Sequence, residues 1–401
     1  MRWVYVGDFH LGEDEKKAIM EVLDSGRISE GKKVREFEKL WATYIGTKYS
    51  VALSSGTAAL MVGLSALNHK KKYKTKKRKV ITAPITYIAT SNALVLTGYE
   101  PVYVDIDPKT FVITSENIRK HLESAKDLEN YVAINPVHLM GYVCGMDEIN
   151  EIANEYNLVV IEDSAQAHGS IYKDKKAGSM SLFSIFSFYI AHNIQAGEMG
   201  ALNTDDIEIY KLAKKLKANG RLCDCLICTR HEGKCPHRSL DADDHDPRFT
   251  HDMIGYNFKT MEFQAALAIS QVKKADEIFT KRQKNVQYLN EKFKKFSSIL
   301  QLPVFDKNVS YLAYPIVIKD TTVISRKELR YRLEKEGVEN RPLFGCIPTQ
   351  QPAYTYLRDL YIDKLPNADY IGKNGFYIGC HQYLTRDDLD YVIEIFERIL
   401  K

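Results

Sequence analysis

Short apolar runs rich in β-branched residues recur along the first half of the chain, separated by segments with helical periodicity. Six such runs, each as long as a strand buried on both faces, cover 49–53, 79–83, 101–105, 131–135, 158–162 and 182–186. Helical patterns lie between them, for example at 58–67 and 146–156. This alternation predicts an α/β fold with a mainly parallel sheet covered by helices on both faces.

The pattern changes at Glu262. Residues 262–296 contain no Gly or Pro, and their apolar positions recur every three or four residues, which predicts one long helix. A strand at 311–318 and helices at 326–336 and 386–401 follow. These elements predict a second, smaller α/β unit at the C-terminal end of the chain.

We therefore expect a large domain at 1–275, which includes a cysteine-rich loop at 221–247, and a small α/β domain at 276–401. The chain has 401 residues, 45% hydrophobic and 27% charged, which is ordinary for a soluble globular protein. It has no apolar run of the roughly eighteen residues that span a bilayer and no signal-peptide pattern at its start. A cytoplasmic protein without a membrane partner is the expectation.

The formal net charge of +4 comes from one segment. Lys70 to Lys79 contains eight basic residues in ten, and outside it 48 basic residues face 52 acidic ones. A solvated loop between a helix and a strand is one interpretation, and a docking patch for an acidic partner or polyanion is the other. The run contains no glycine and a single aromatic residue, Tyr73, which is not the interleaved pattern of a nucleic-acid site, so we expect no nucleic-acid partner.

Four cysteines lie within thirteen residues and predict a metal site, because a cytosolic chain seldom uses such a cluster for disulfides. They are Cys223, Cys225, Cys228 and Cys235. Four thiolates suit a [2Fe–2S] cluster, and zinc is the alternative because His231 and His237 lie nearby. The C-x-C start is less usual for structural zinc and favours iron–sulfur.

Two junctions between a predicted strand and the segment after it have residues suited to a ligand. The small-residue turn 54–60 leads into a helix whose first N–H groups suit a phosphate. Asp163 follows an apolar strand, where ligands bind in open α/β sheets, and its carboxylate suits the protonated ring nitrogen of a pyridoxal-type cofactor. The alternative for Asp163 is a helix N-cap. The nearby His168 is expected to be structural.

Six motifs in this order resemble the DegT/DnrJ/EryC1/StrS family of nucleotide-sugar aminotransferases. They are SGTAAL, TAPITYIATSNAL, PVYVDID, EDSAQAHG, FSFY–H–N–GE–GA and GYNFKTMEFQAAL, and they span most of the chain. The resemblance implies a fold-type I aminotransferase-like architecture. It also implies a homodimer whose active sites lie at the subunit interface.

The resemblance also implies roles for seven residues toward pyridoxal or pyridoxamine 5′-phosphate (PLP or PMP). Gly56, Thr57 and Ser187 would bind the phosphate, and Asn257 would reach it from the neighbouring subunit. Tyr87 would stack on the ring of the cofactor. Asp163 would pair with the ring nitrogen, and Gln166 would lie near the ring hydroxyl. Lys259 stands where these aminotransferases often have Arg, so this chain departs from the pattern there.

A larger departure occurs at His192, where the aminotransferases have the lysine that binds the cofactor covalently. The His192 segment is similar to that of family branches that are C-3 dehydratases of 4-keto-6-deoxy sugars and hold PMP without a covalent bond. In this reading His192 is the catalytic base. Its ordinary pKa of about 6.5 suits that role near neutral pH.

The cysteine cluster resembles the [2Fe–2S] ligand set of the iron–sulfur dehydrases in this family. That likeness implies a separate electron-donating reductase and a nucleotide-sugar substrate. Three alternatives remain: a cluster-free dehydratase with structural zinc, an aminotransferase, and a non-catalytic relative. The nucleotide and the sugar configuration stay open, and Arg221, Arg238 and Arg341 are candidates for binding the nucleotide phosphates.

Overall fold

The computed structural model describes residues 2–70, 77–223, 225, 232 and 246–401. Its α-helices are α1 (Glu13–Asp24), α2 (Lys32–Ile45), α3 (Gly56–His69), α4 (Ala89–Leu96), α5 (Ser115–Ser124), α6 (Met146–Glu155), α7 (Ile207–Leu216), α8 (Glu262–Lys273), α9 (Ala275–Phe293), α10 (Arg326–Lys335), α11 (Pro366–Asn374) and α12 (Arg386–Leu400). Its strands are β1 (Tyr49–Leu53), β2 (Lys79–Thr82), β3 (Glu100–Tyr103), β4 (Tyr131–Asn135), β5 (Val159–Asp163), β6 (Ile171–Tyr172), β7 (Lys175–Lys176), β8 (Phe183–Ser187), β9 (Gly200–Thr204), β10 (Leu300–Gln301), β11 (Tyr314–Ile318), β12 (Asn340–Pro342) and β13 (Gly375–Ile378). Within these ranges, no helix combines the length and apolarity needed to cross a bilayer.

The large sheet of the described chain has the strand order β1-β9-β8-β5-β4-β2-β3. The neighbours from β8 to β3 pair in parallel, and β9 pairs antiparallel with both β1 and β8. Every strand except β9 therefore runs in the same direction. The prediction of a mixed, mainly parallel sheet is confirmed.

Alternate residues of the large sheet pack into different hydrophobic clusters, as the two-residue period of a strand requires. On β1, Val51 and Leu53 belong to the cluster that contains residues of α3, α4 and α7. Ala52 between them belongs to the cluster formed with α2 and α8. Helices therefore cover both faces, which explains why the strands read as continuous apolar runs rather than alternating ones.

Strand β9 is the one large-sheet strand that the apolar pattern did not predict. Its sequence, Gly-Ala-Leu-Asn-Thr, has few β-branched residues, yet every position is buried. Asn203 is accommodated because its side chain bonds to the Ser50 hydroxyl (3.2 Å) and the Thr47 hydroxyl (3.0 Å). Tertiary hydrogen bonding, rather than local propensity, makes this segment a strand.

The predicted long helix at 262–296 is wrong as a single element. It is divided at Lys274, whose backbone leaves the helical region between α8 and α9. The Lys274 ammonium lies 2.8 Å from the buried carboxylate of Glu15 on α1. The predicted helix therefore breaks at a position that has neither Gly nor Pro, and a tertiary contact accompanies the break.

The second sheet has the order β10-β11-β13-β12, and all its described pairs are antiparallel. The N-terminal segment lies along it, since the Val4 amide donates to the Gly337 carbonyl over 2.7 Å. Residues of both sheets also share one hydrophobic cluster. The division into domains at 275 stays a prediction.

The basic run connects α3 with β2, as the loop interpretation expected. At its ends, Lys70 pairs with Asp206 over 2.5 Å and Lys79 with Asp127 over 2.7 Å. Residues 71–76, which carry four of the eight basic residues of the run, lie outside the described residues. The role of the run stays open.

Candidate active site

Loops at the carboxyl edge of the large sheet bring most of the predicted cofactor residues to one side of the molecule. Gly56 and Thr57 follow β1, Tyr87 follows β2, Asp163 ends β5 and is followed by Gln166, and Ser187 ends β8 and is followed by His192. These strands all run in the same direction, so their carboxyl ends meet at one edge, which is the ligand-binding edge of open α/β sheets.

The start of α3 and the end of β8 form a narrow cradle. A Cβ atom on Gly56 would lie 2.7 Å from the Cβ of Ser187, and one on Gly200 would lie 2.2 Å from the Ser55 carbonyl oxygen. Only glycine allows so close an approach of β8 and β9 to the helix. The cradle places the Ser187 residue against the N-terminus of α3, where N–H groups and the helix dipole favour an anion. It fits the predicted phosphate-binding role of Gly56 and Ser187.

Asp163 lies at the end of β5 and is 4% exposed. Its Oδ2 accepts a 2.8 Å hydrogen bond from the Thr90 hydroxyl, and its Oδ1 accepts one of 3.2 Å from the Ala165 amide. The helix N-cap alternative is wrong, because turns rather than a helix occupy the described residues 164–170. Burial raises the pKa of Asp163, so a cationic partner such as a protonated ring nitrogen would stabilise its charged form.

Gln166 is oriented by a backbone contact. Its Oε1 accepts a 3.0 Å hydrogen bond from the amide of Met140, which has a positive φ of 55°. This contact fixes which end of the side-chain amide is the acceptor and leaves the Nε2 group as a donor. A donor at this position suits the ring hydroxyl that the sequence assigned to Gln166.

Tyr87 is 61% exposed and borders a cleft of about 590 Å³ between the β2 loop and the second sheet. Its ring lies 6.2 Å from that of Phe344, so its outer face is open for stacking. Arg341, a predicted phosphate ligand, lines the same cleft with Arg326, which sequence reasoning did not single out. The cleft thus joins an aromatic surface to two guanidinium groups.

The His192 side chain is half-buried in the loop after β8, with its Nδ1 atom buried and without a hydrogen-bond partner in the described structure. Burial, together with the positive charge of Arg282, lowers the pKa of His192 to about 4. The imidazole is therefore neutral at pH 7 and can accept a proton. No lysine occurs between 186 and 200, so the position that would bind a cofactor covalently has only this imidazole.

His168 is accounted for by packing. It is fully buried, with its ring 5.6 Å from Phe186 and 5.1 Å from Phe188 in stacked arrangements. Its Nδ1 accepts a hydrogen bond from the Ile194 amide over 3.4 Å. The ring supports the loop that contains His192, in keeping with the expected structural role.

Sequence reasoning missed Thr90 and Arg282. Thr90 and Thr86, whose hydroxyls are 2.9 Å apart, lie four residues apart in the TAPITYIATSNAL motif, so a positional signal was available. Arg282 gave none, because α9 is dense in charged residues and only the fold shows that this one is buried.

Asn257 and the first two clustered cysteines lie in a different cleft. Asn257, Lys259, Cys223, Cys225 and Arg221 all border this space of about 470 Å³, which Gly56 and Ser187 do not line. The separation is consistent with the expectation that Asn257 serves a neighbouring subunit, which stays a prediction.

Only Cys223 and Cys225 of the four predicted metal ligands belong to the residues that the structure describes. Among the residues that the structure describes, no three His, Cys, Asp or Glu side chains are arranged to bind a metal ion. Cys228, Cys235, His231, His237 and Arg238 lie outside the described residues. The iron–sulfur and zinc expectations both remain predictions.

Known proteins of two activities are similar to this chain. A dTDP-4-dehydro-2,6-dideoxy-D-glucose 3-dehydratase of Saccharopolyspora spinosa is 32% identical over 96% of this chain and 84% of its own length. The structure of Helicobacter pylori PseC, an aminotransferase of pseudoaminic acid biosynthesis, superposes with a TM-score of 0.86 at 25% identity and covers 100% of this chain and 99% of its own. The Escherichia coli GDP-4-keto-6-deoxy-D-mannose-3-dehydratase with bound hydrated PLP superposes with a TM-score of 0.84 at 28% identity over the whole of both chains.

The architecture of these neighbours is the fold-type I arrangement, and the sheet order and the loops at its carboxyl edge agree with it. The sequence profile of the DegT/DnrJ/EryC1/StrS aminotransferase family matches residues 10–397. The match includes the Gly56–Ser187 cradle, Asp163 and the His192 loop. This chain belongs to the DegT/DnrJ/EryC1/StrS aminotransferase family.

Proposed function

We propose that this protein is a PMP-dependent enzyme that removes the C-3 hydroxyl of a nucleotide-activated 4-keto-6-deoxyhexose, with His192 as the catalytic base. The observation that carries the proposal is a half-buried imidazole at the position where the aminotransferases of the family have the covalent lysine. The names of the dehydratases from S. spinosa and E. coli, two of the similar proteins, support this substrate class.

The described residues fit the cofactor. Gly56, Thr57 and Ser187 would hold its phosphate at the α3 N-terminus, and Asp163 would pair with its ring nitrogen. Tyr87 would cover one face of the ring, and Gln166 would donate to its hydroxyl. When bound, PMP supplies an amine that condenses with a ketone and a ring that accepts electrons from an adjacent carbon.

His192 would take up the proton whose removal starts the dehydration. Burial lowers the pKa of His192, so the imidazole is unprotonated near neutral pH and can accept a proton, but it is a weaker base than a free histidine. An imidazole forms no lasting bond with the cofactor aldehyde, so the amine form remains available for the substrate. These properties support dehydration over transamination at this site.

Cys223, Cys225, Cys228 and Cys235 are proposed to hold a [2Fe–2S] cluster that receives electrons from a separate reductase. Four thiolates are the usual ligand set of such a cluster, and the two cysteines within the described ranges border one cleft. A structural zinc ion is the competing occupant. Anaerobically purified protein should be brown, contain about two irons per chain and show an EPR signal after reduction. Colourless protein loaded with zinc would overturn the iron–sulfur assignment.

Turnover by a His192→Asn variant tests the function. Incubated with PMP and 4-keto-6-deoxy sugar nucleotides, the wild type should release a 3-deoxy product, and the variant should be slower by about 100-fold or more. The variant should bind PMP with unchanged affinity, since His192 holds no part of the cofactor. The exposed His251→Asn is a matched control with normal turnover. A 4-amino sugar formed from glutamate would instead identify an aminotransferase.

The proposed homodimer with shared active sites has its own test. In a mixed dimer of His192→Asn and Asn257→Ala chains, one site would combine an intact His192 with an intact Asn257 from the other chain. Mixing and re-equilibrating the two inactive variants should therefore restore activity. Persistent inactivity of mixed dimers would contradict a shared site.

A further inference from the structure

Arg282 on α9 is a buried guanidinium surrounded by neutral acceptors. It is 1% exposed, and its Nη1 donates to the carbonyls of Tyr311 (3.2 Å) and Leu312 (2.8 Å). Its Nε donates to Oε1 of Gln382 over 3.0 Å. Within the described ranges no carboxylate pairs with it. Burial lowers the pKa of Arg282, but arginine begins so high that the group stays charged.

A buried cation without a counter-ion is unfavourable, so its presence calls for a function. What surrounds Arg282 suggests one. Its positive charge contributes, after burial, to lowering the pKa of His192 and of His381, each to about 4. It acts in the same direction on His168. A carboxylate beside Arg282 would cancel this influence.

The segment that Arg282 holds, Ser310–Leu312, also contacts the two loops of the candidate active site. The side-chain amide of Asn193, next to His192, donates to the Ser310 carbonyl over 3.1 Å. The Leu312 amide donates to the Met140 carbonyl over 3.2 Å, and Met140 in turn orients Gln166. Arg282 therefore bonds to a segment that itself makes hydrogen bonds to both loops.

We propose that Arg282 is a positioning residue for His192: its hydrogen bonds hold the segment against which the His192 loop packs, and its buried charge acts on the His192 ring. Within the described ranges, the rings of His168 and Tyr189 lie 6.0 Å and 6.3 Å from that of His192, and the charge of Arg282 also acts on it. His168 is kept neutral by its own burial, so Arg282 supplies the charge.

The inference deepens the proposed function, since it concerns the residue proposed as the base, but its test needs no turnover. The His192 ring can be titrated by NMR in protein labelled with ¹³C at the histidine Cε1 position. Its signal among the 11 histidines is identified by its loss in His192→Asn. A failed dehydratase assay with a depressed His192 titration would reject the function and keep the electrostatic role.

Gln382→Glu is the decisive variant, because it places a carboxylate where Arg282 already donates and changes no shape. We expect the His192 titration midpoint to rise by about one pH unit, and the acid limb of the pH–rate profile to move with it. Gln301→Glu, on the half-exposed strand β10, adds the same charge elsewhere and should leave the midpoint unchanged.

Arg282→Lys separates the two parts of the role. The ammonium group of lysine keeps the charge, so the His192 titration midpoint should stay within about 0.3 pH units of the wild type. Loss of the planar guanidinium, which makes the hydrogen bonds, should lower kcat with little change in the acid limb of the pH–rate profile. A wild-type midpoint near the ordinary 6.5, or an unshifted midpoint in folded Gln382→Glu, would overturn the proposal. If Gln382→Glu fails to fold, Arg282→Lys decides, and an unchanged kcat in that variant would overturn the positioning role.

Discussion

The hydroxyl of Thr90 lies 2.8 Å from Oδ2 of Asp163 and donates to it from the first turn of α4. Thr90 Oγ1 is in turn 2.9 Å from Thr86 Oγ1. The two hydroxyls connect the β2 loop, which contains Tyr87, with the carboxylate at the end of β5. The orientation of Asp163 is therefore set before any cofactor binds.

Asp163→Asn should weaken PLP or PMP binding by about 30-fold, or about 2 kcal/mol, because it removes the charge that pairs with a protonated ring nitrogen. Thr90→Val is the matched comparison, since it removes one neutral donor and keeps the carboxylate. It should lose only about 1 kcal/mol of binding free energy. Fluorescence titration with the cofactor measures both losses, and undiminished affinity of Asp163→Asn would exclude the carboxylate from the site.

Gly56→Ala should lower the free energy of unfolding by about 1–3 kcal/mol, because the new methyl group would overlap Ser187. It should also weaken binding of inorganic phosphate at the α3 N-terminus. Adding Ser187→Gly removes the Cβ that would lie 2.7 Å from the new methyl group, so the double variant should recover stability but not phosphate affinity. Urea unfolding and phosphate titration give the two readouts. Strict additivity of the stability losses would show that the two residues do not contact each other.

Buried neutral imidazoles should make stability depend on pH. Burial lowers the pKa of His381 to about 4, from an unfolded value near 6.5. The unfolded state therefore binds more protons between these values, and stability is lost as pH falls from about 6.5 to 4. His381→Gln should reduce the slope of unfolding free energy by up to about 1.4 kcal/mol per pH unit in that window. An unchanged slope in His381→Gln would refute the assignment to burial.

Glu262 should contribute strongly to stability. It begins α8, and its carboxylate accepts hydrogen bonds from the amides of Gly31 (2.8 Å), Lys33 (2.9 Å) and Val34 (3.0 Å) at the N-terminus of α2. Glu262→Ala leaves these amides without their acceptor and should cost about 3 kcal/mol of unfolding free energy.

The exposed ion pair between Glu13 and Lys16 offers the control for Glu262. Glu13→Ala removes a carboxylate that bonds to Lys16 at the surface, so it should change stability by less than about 0.5 kcal/mol. Thermal or urea unfolding of the two variants compares them. Equal losses would mean that Glu262 acts only as another surface charge.

Much of the large sheet was predictable because buried parallel strands must be apolar along their whole length. β1 and β4 begin and end at the predicted residues, and the remaining parallel strands differ from the prediction by one or two positions. Asp163 was predictable for a related reason, because it stands at a strand end where ligands bind in open α/β sheets. The role of Ser187 was implied only by the resemblance to the family.

Other features had no local signal. β9 is a strand because Asn203 finds hydroxyl partners on the neighbouring segments, and the break at Lys274 accompanies its contact with Glu15. Arg282 has the same sequence context as the exposed lysines around it. In each case the deciding contact joins residues far apart in the chain.

The sequence by itself determined the sheet class, the family and the presence of His192 where a lysine would bind the cofactor, because these depend on residue identity and order. Only the tertiary structure decided that burial lowers the pKa of His192, that Thr90 orients Asp163, and that Arg282 is buried among carbonyl and amide acceptors. The physical reason is that protonation and orientation depend on burial and on neighbouring charges, which the folded chain alone brings together.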